Sequence, residues 1–101
     1  MAETVIHQPR VAWQGAQAFV RAAGGSEYTA FAGRVVSRLG TDLYGELADT
    51  RERLLTAAAA TGGDRRAADI ELGRWRVRLE DLLRTHPELA GAVQDLSAEP
   101  H

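Results

Sequence analysis

Cysteine, lysine and asparagine are absent from the 101 residues, and no apolar run approaches the roughly 18 residues that a membrane-spanning helix requires. Without cysteine there can be no disulfide, thiolate metal ligand or thiol nucleophile, a composition that fits the cytoplasm. The N-terminal stretch MAETVIHQPR is acidic and then polar, whereas a secretory leader is basic and then apolar. The expectation is a cytoplasmic chain that does not enter a membrane. Histidine is scarce: His7, His86 and His101 lie far apart, with no carboxylate at metal-site spacing on a shared helix face. No G-x-S-x-G, phosphate-binding loop or dinucleotide fingerprint occurs, and neither Ser26 nor Ser37 has a histidine close in sequence. Runs of alternating apolar and polar residues long enough for a strand are missing as well. These absences point to a noncatalytic, all-α chain without metal, cofactor or catalytic residue.

What is present is an ordinary globular mixture. Hydrophobic residues make up 45% and charged residues 26%, enough apolar material for one core in a chain of this length. The formal charge of −2 and pI near 5.9 supply no overall field to draw in nucleic acid or anionic lipid. All twelve basic residues are arginine. With abundant alanine and glycine, that is the bias of a GC-rich bacterial genome, so each arginine need not have been selected for bidentate chemistry.

Helical periodicity then divides the chain into four to five helices joined by short glycine-marked links, a single antiparallel-connected bundle over residues 9–97 with flexible ends at 1–8 and 98–101. Pro9 suits a first helical turn. Val11, Ala12, Ala16, Phe19, Val20 and Ala23 form a broad apolar arc, with Trp13 at its edge and Gln14, Gln17 and Arg21 as a narrow polar strip. Gly24-Gly25 stops that helix, and Ser26 is the expected N-cap of the next. The second helix turns Tyr28, Phe31, Ala32, Val35, Val36 and Leu39 inward and ends at Gly40. A third helix from Thr41-Asp42 to about Thr61 buries Leu43, Tyr44, Leu47, Ala48, Leu54, Leu55 and Ala58. Arg51 stands in the middle of that apolar side. Either its stem covers the core edge while its head reaches water, or it forms a buried ion pair with Asp69, Asp81 or Asp95.

The stretch Asp64 to Arg84 has the cleanest period. Gly62-Gly63 leads into it and Asp64 caps it. Leu72, Trp75, Leu79, Leu82 and Leu83 share about a third of the wheel and are the expected core anchors. Ile70 and Val77, with Gly73 between them, fall on the opposite side, and a helix with two apolar faces needs two neighbours. Those three residues are the candidate interface, unless the chain's own first or last helix covers them. The arginines around them disperse on the wheel and are expected to pair along the helix, Arg76 with Glu80, Arg74 and Arg78 with Asp81, and Glu80 with Arg84. Thr85 and Glu88 have capping-box spacing before a last helix, His86 to Leu96, that buries Leu89, Val93 and Leu96.

Two stretches resemble known families. Trp13-Gln14-Gly15 resembles the WXG100 secretion substrates, as do the chain length and helical content. That family carries the tripeptide in a mid-chain turn, whereas here it lies within a helix near the N-terminus, which favours a core tryptophan beside a small residue. From Leu47 onward, Trp75, Leu79, Leu82, Leu83, Pro87 and Leu89 trace a W-x-x-x-L-x-x-L-L helix followed by a Pro-Glu-Leu helix. This resembles small, functionally unassigned all-helical domains of high-GC bacteria, some joined to or encoded near signalling and defence proteins. The resemblance implies an interaction role.

The expectation is thus a protein–protein interaction or self-association module, with a protein partner or a second copy as in a homodimer, and no membrane. The alternatives are a helical DNA-binding or regulatory domain using Arg34, Arg38, Arg65 and Arg66, and a small-ligand pocket lined by Trp13, Tyr28, Phe31 or Trp75.

Overall fold

The computed structural model describes residues 8–61 and 65–98. It contains α1 (Gln8–Ala23), α2 (Tyr28–Leu39), α3 (Asp42–Thr61), α4 (Arg66–Thr85), a 3-10 turn at Pro87–Leu89 and α5 (Ala90–Ala98). The described residues contain no strand, and the fold is an all-α bundle. The expected flexible ends, the Gly62-Gly63 loop and the Asp64 cap fall mainly or wholly outside the described residues. Gln8 and Ala98 themselves are helical.

The core is organised around α1, whose broad apolar arc is buried as its composition demands: Val11, Ala12, Ala16, Ala18, Phe19, Val20, Ala22 and Ala23 are all inside. Its main neighbours are α4 and α5 rather than α2. Sequence-adjacent helices are expected to be neighbours, and α2 does pack chiefly on α3, but α1 and α2 touch little. Phe19 meets Trp75, and the Gly15 backbone lies under Leu79. The residue numbers sum to 94 in both pairs, so α1 and α4 run antiparallel. Gly15 permits the crossing. A Cβ there would stand 2.8 Å from Val93 Cγ1 and 2.9 Å from Leu79 Cδ1, so any larger residue would force those side chains to shift.

Phe19 lies at the centre of an aromatic group, edge-on to Phe31 with centroids 5.1 Å apart and tilted on Trp75 at 4.8 Å. Phe19, Phe31 and Trp75 thus pack against one another in the interior, and one edge of Trp75 also borders a surface cleft with Thr50, Arg53 and Arg78. Leu43, Leu47, Val35, Leu83, Val93 and Leu96 complete the core. Trp13 does not belong to it. It is 40% exposed, because it projects from the polar strip of α1, and Gly15 is the member of the tripeptide that the core uses.

The apolar side expected of the third helix holds only for its first half. Leu43 and Leu47 are buried and Leu54 packs on the core, but Tyr44, Leu55 and Ala58 are exposed. The reason is where α1 stops: its last carbonyls meet Arg51 and the Gly24 backbone abuts Leu54, leaving the rest of α3 without that neighbour.

Two expected caps do not form. α2 starts at Tyr28 with Glu27 before it, no side chain caps it, and Ser26 stays in the preceding turn. Thr85 closes α4 instead of opening the next helix, and Glu88 contacts His86 Nδ1 at 3.3 Å.

Candidate interaction surface

The inner face of α4 places the core anchors as its period requires. Trp75, Leu79 and Leu83 are buried, while Leu72 and Leu82 are half-buried and pack against the same core. One turn before Trp75 stands a residue of a different kind, Glu71, which is only 3% exposed. Burying a carboxylate is unfavourable unless its oxygens are satisfied. Arg53 of α3 supplies a two-pronged donor, Nε to Oε2 and a terminal nitrogen to Oε1, both at 2.9 Å. Arg74 approaches Oε2 at 3.5 Å from the next turn of α4. The Thr50 hydroxyl, also buried, accepts a hydrogen bond from Trp75 Nε1 at 2.8 Å. Its own proton faces Glu71 Oε1 at 3.2 Å and the Glu46 carbonyl at 3.0 Å. The hydrogen bond to Glu71, with the carboxylate's charge, raises the Arg53 pKa above its ordinary value against the opposing effect of partial burial. This network fixes the register of α3 on α4, since Arg53 with Glu71 and Thr50 with Trp75 are joined nearby by Arg78 with Glu46 at 3.0 Å.

Sequence reasoning missed both Thr50 and Glu71. The signal was present in the spacing: Thr50 is three residues after Leu47 and four before Leu54, and Glu71 four before Trp75, so both fall on core-facing arcs.

Arg51 makes neither the ion pair nor the simple solvent contact expected. One of its terminal nitrogens donates to the carbonyls of Ala23 and Gly25 at 2.9 and 3.0 Å, closing the C-terminus of α1, and its guanidinium lies 4.7 Å from the Tyr28 ring centroid. A cation is well placed there, since helix C-termini present unpaired carbonyls at the negative end of the dipole. Two of the carboxylates considered for it are engaged elsewhere, Asp95 by Arg38 at 2.9 Å and Asp81 by Arg84 at 2.8 Å. The other charges on α4 also pair differently from expectation. Arg74 turns to Glu71 and Arg84 to Asp81, each three residues back on α4, and only Arg78 leaves the helix, crossing to Glu46 on α3.

The arginines considered for nucleic acid do not form one surface. Arg38 pairs with Asp95 of α5, and Arg34 lies 5.8 Å from the Phe31 ring. Arg65 and Arg66 begin α4, whereas α2 ends beside the opposite end of that helix, where Leu39 shares a cleft with Leu82, Thr85 and His86.

The outer face of α4 is open. Ile70 is 51% and Val77 52% exposed, the two highest values among the exposed large apolar side chains, and a Cβ added at Gly73 would meet nothing within 4 Å. Neither α1 nor α5 covers this face. α1 packs on the Trp75 and Leu79 side, and α5 lies against α1 and α2. Ile70, Gly73 and Val77 thus form a solvent-facing stripe on a helix whose other side is fixed by core packing and by the Glu71 network.

Among the described residues, no helix is long and apolar enough to cross a membrane, and no three histidines or carboxylates are grouped to hold a metal ion. No protein-family model, curated protein or solved structure matches the chain.

Proposed function

We propose that the chain is a noncatalytic interaction module of the cytoplasm that docks a protein partner on the outer face of α4. The observation that carries this is the stripe itself: two large aliphatic side chains two turns apart, each half exposed, with an open glycine between them. Apolar anchors at this spacing on a rigid helix suit the groove or helix face of another protein. The rigidity comes from the opposite side, where Trp75, Leu79, Leu83 and the Arg53–Glu71 pair hold α4 in place. The resemblance of residues 47 onward to small helical domains associated with signalling and defence proteins in high-GC bacteria supports an adaptor role.

The experiment is a paired capture. Native chain and the Ile70→Glu/Val77→Glu variant, matched for helical content and melting temperature, are immobilised in parallel and exposed to the same extract. A protein retained by the native chain and lost from the variant supports the proposal. Identical retention by both places docking elsewhere and overturns it.

A further inference from the structure

We infer that the outer face of α4 receives the same face of a second copy, packed antiparallel about a two-fold axis between Gly73 and Arg74. This rests on the docking role proposed above and names its occupant. A two-fold interface must be self-complementary, with residue i against j and j against i. On α4 the positions that sum to 147 meet that requirement. Ile70 falls opposite Val77 of the second copy and Val77 opposite its Ile70, so all four half-exposed aliphatic side chains are covered at once. One turn outside them, Arg66 falls opposite Asp81 of the second copy, and the pair recurs at the other end. Both residues are exposed, and Asp81 uses Oδ1 for Arg84, which leaves Oδ2 as a second acceptor. At the centre, the open space over Gly73 lets the two backbones approach closely.

The orientation follows from charge. In a parallel pairing Arg66 would face Arg66 and Asp81 would face Asp81, and the two helix dipoles would be aligned side by side. The antiparallel pairing replaces both like-charge contacts by opposite-charge ones and opposes the dipoles. The extent of the contact sets its strength. A 20-residue helix is about 30 Å long. One helix face against another covers less than the roughly 800 Å² per partner of a standard interface, so association belongs to the weak, micromolar class.

The absence of cysteine makes the test clean, since an introduced thiol has no competitor. Ile70→Cys and Val77→Cys chains, each alone and mixed, are oxidised mildly at roughly 200 µM, a concentration suited to a weak contact. The antiparallel register requires a mixed 70–77 disulfide that outweighs either self-linked product, and a self-linked Gly73→Cys chain. Arg66→Asp or Asp81→Arg should each weaken native association, read by light scattering, roughly three- to tenfold, and combining them should restore it. Self-linking of Ile70→Cys or Val77→Cys equal to or above the mixed product overturns the proposal. So does a native chain that stays monomeric up to about 500 µM, well above the range of a weak interface. Those results leave docking of a different protein standing. If instead the Ile70→Cys and Val77→Cys chains lose their fold, the face is buried within the chain, and both this inference and the docking role fail.

Discussion

The two faces of α4 carry apolar residues at the same helical period, yet they have opposite fates. On one face Trp75, Leu79 and Leu83 are buried to 2% exposure or less, and on the other Ile70 and Val77 remain half exposed. Hydrophobicity does not separate them, since isoleucine and valine are as apolar as leucine. The neighbours do. Phe19 of α1 and Thr50 and Arg53 of α3 all meet the first face, while no described residue packs over the second at Gly73. An apolar residue on a helix therefore states a demand for a neighbour, and only the tertiary arrangement says whether the chain itself supplies it.

The comparison can be broken most forcefully at Trp75. Trp75→Ala removes the ring that packs on Phe19 and the donor to Thr50, and should destabilise by about 3–5 kcal/mol in denaturant unfolding. A loss below about 1 kcal/mol would show that the inner face has been misidentified. Next comes the polar part of the same face. Arg53→Ala leaves Glu71 buried with only Thr50 and a longer contact to Arg74. Because the Arg53 side chain is itself 47% exposed, the cost should be about 1–2 kcal/mol, short of that for a fully buried pair. Replacing both members, Arg53→Ala with Glu71→Leu, should recover much of it, and a doubled loss would show that the pair stabilises the fold beyond satisfying its own burial.

Two glycines sharpen the contrast at smaller scale. Alanine gains up to about 1 kcal/mol over glycine inside a helix. At Gly15 that gain is exceeded by overpacking against the fully buried Leu79 and Val93, so Gly15→Ala should destabilise by about 1 kcal/mol. At Gly73 nothing opposes it, and Gly73→Ala should stabilise the dilute chain by about 0.5–1 kcal/mol. Thermal unfolding of the two variants side by side gives opposite signs if the faces differ as described.

Much of this is legible in the sequence. The boundaries of the long helices, the inward face of α1 and the two faces of α4 follow from a 3.6-residue period that packing preserved. Features that depended on where a different helix ends could not be read locally. The apolar period of α3 continues through Leu55 and Ala58, but α1 stops at Ala23 and leaves them exposed. The same ending gives Arg51 its carbonyl partners in place of a carboxylate. Thr50 and Glu71 were hidden for another reason. A polar residue at a core position becomes favourable only when a partner on another helix completes it, and the α3–α4 register that brings Arg53 to Glu71 is a property of the pair. That Ile70 and Val77 lie opposite Trp75 follows from the period of one helix, whereas their exposure depends on which helices pack beside it.

The most direct test of the difference between the two faces is the unfolding free energy of the Ile70→Glu/Val77→Glu chain at dilute concentration, where association plays no part. Two solvent-facing substitutions should leave it within about 0.5 kcal/mol of native for each, with the helical signal unchanged. A loss of several kcal/mol or collapse of the fold would contradict the account, because it would mean that the outer face of α4 is covered by the chain itself and offers nothing to a partner.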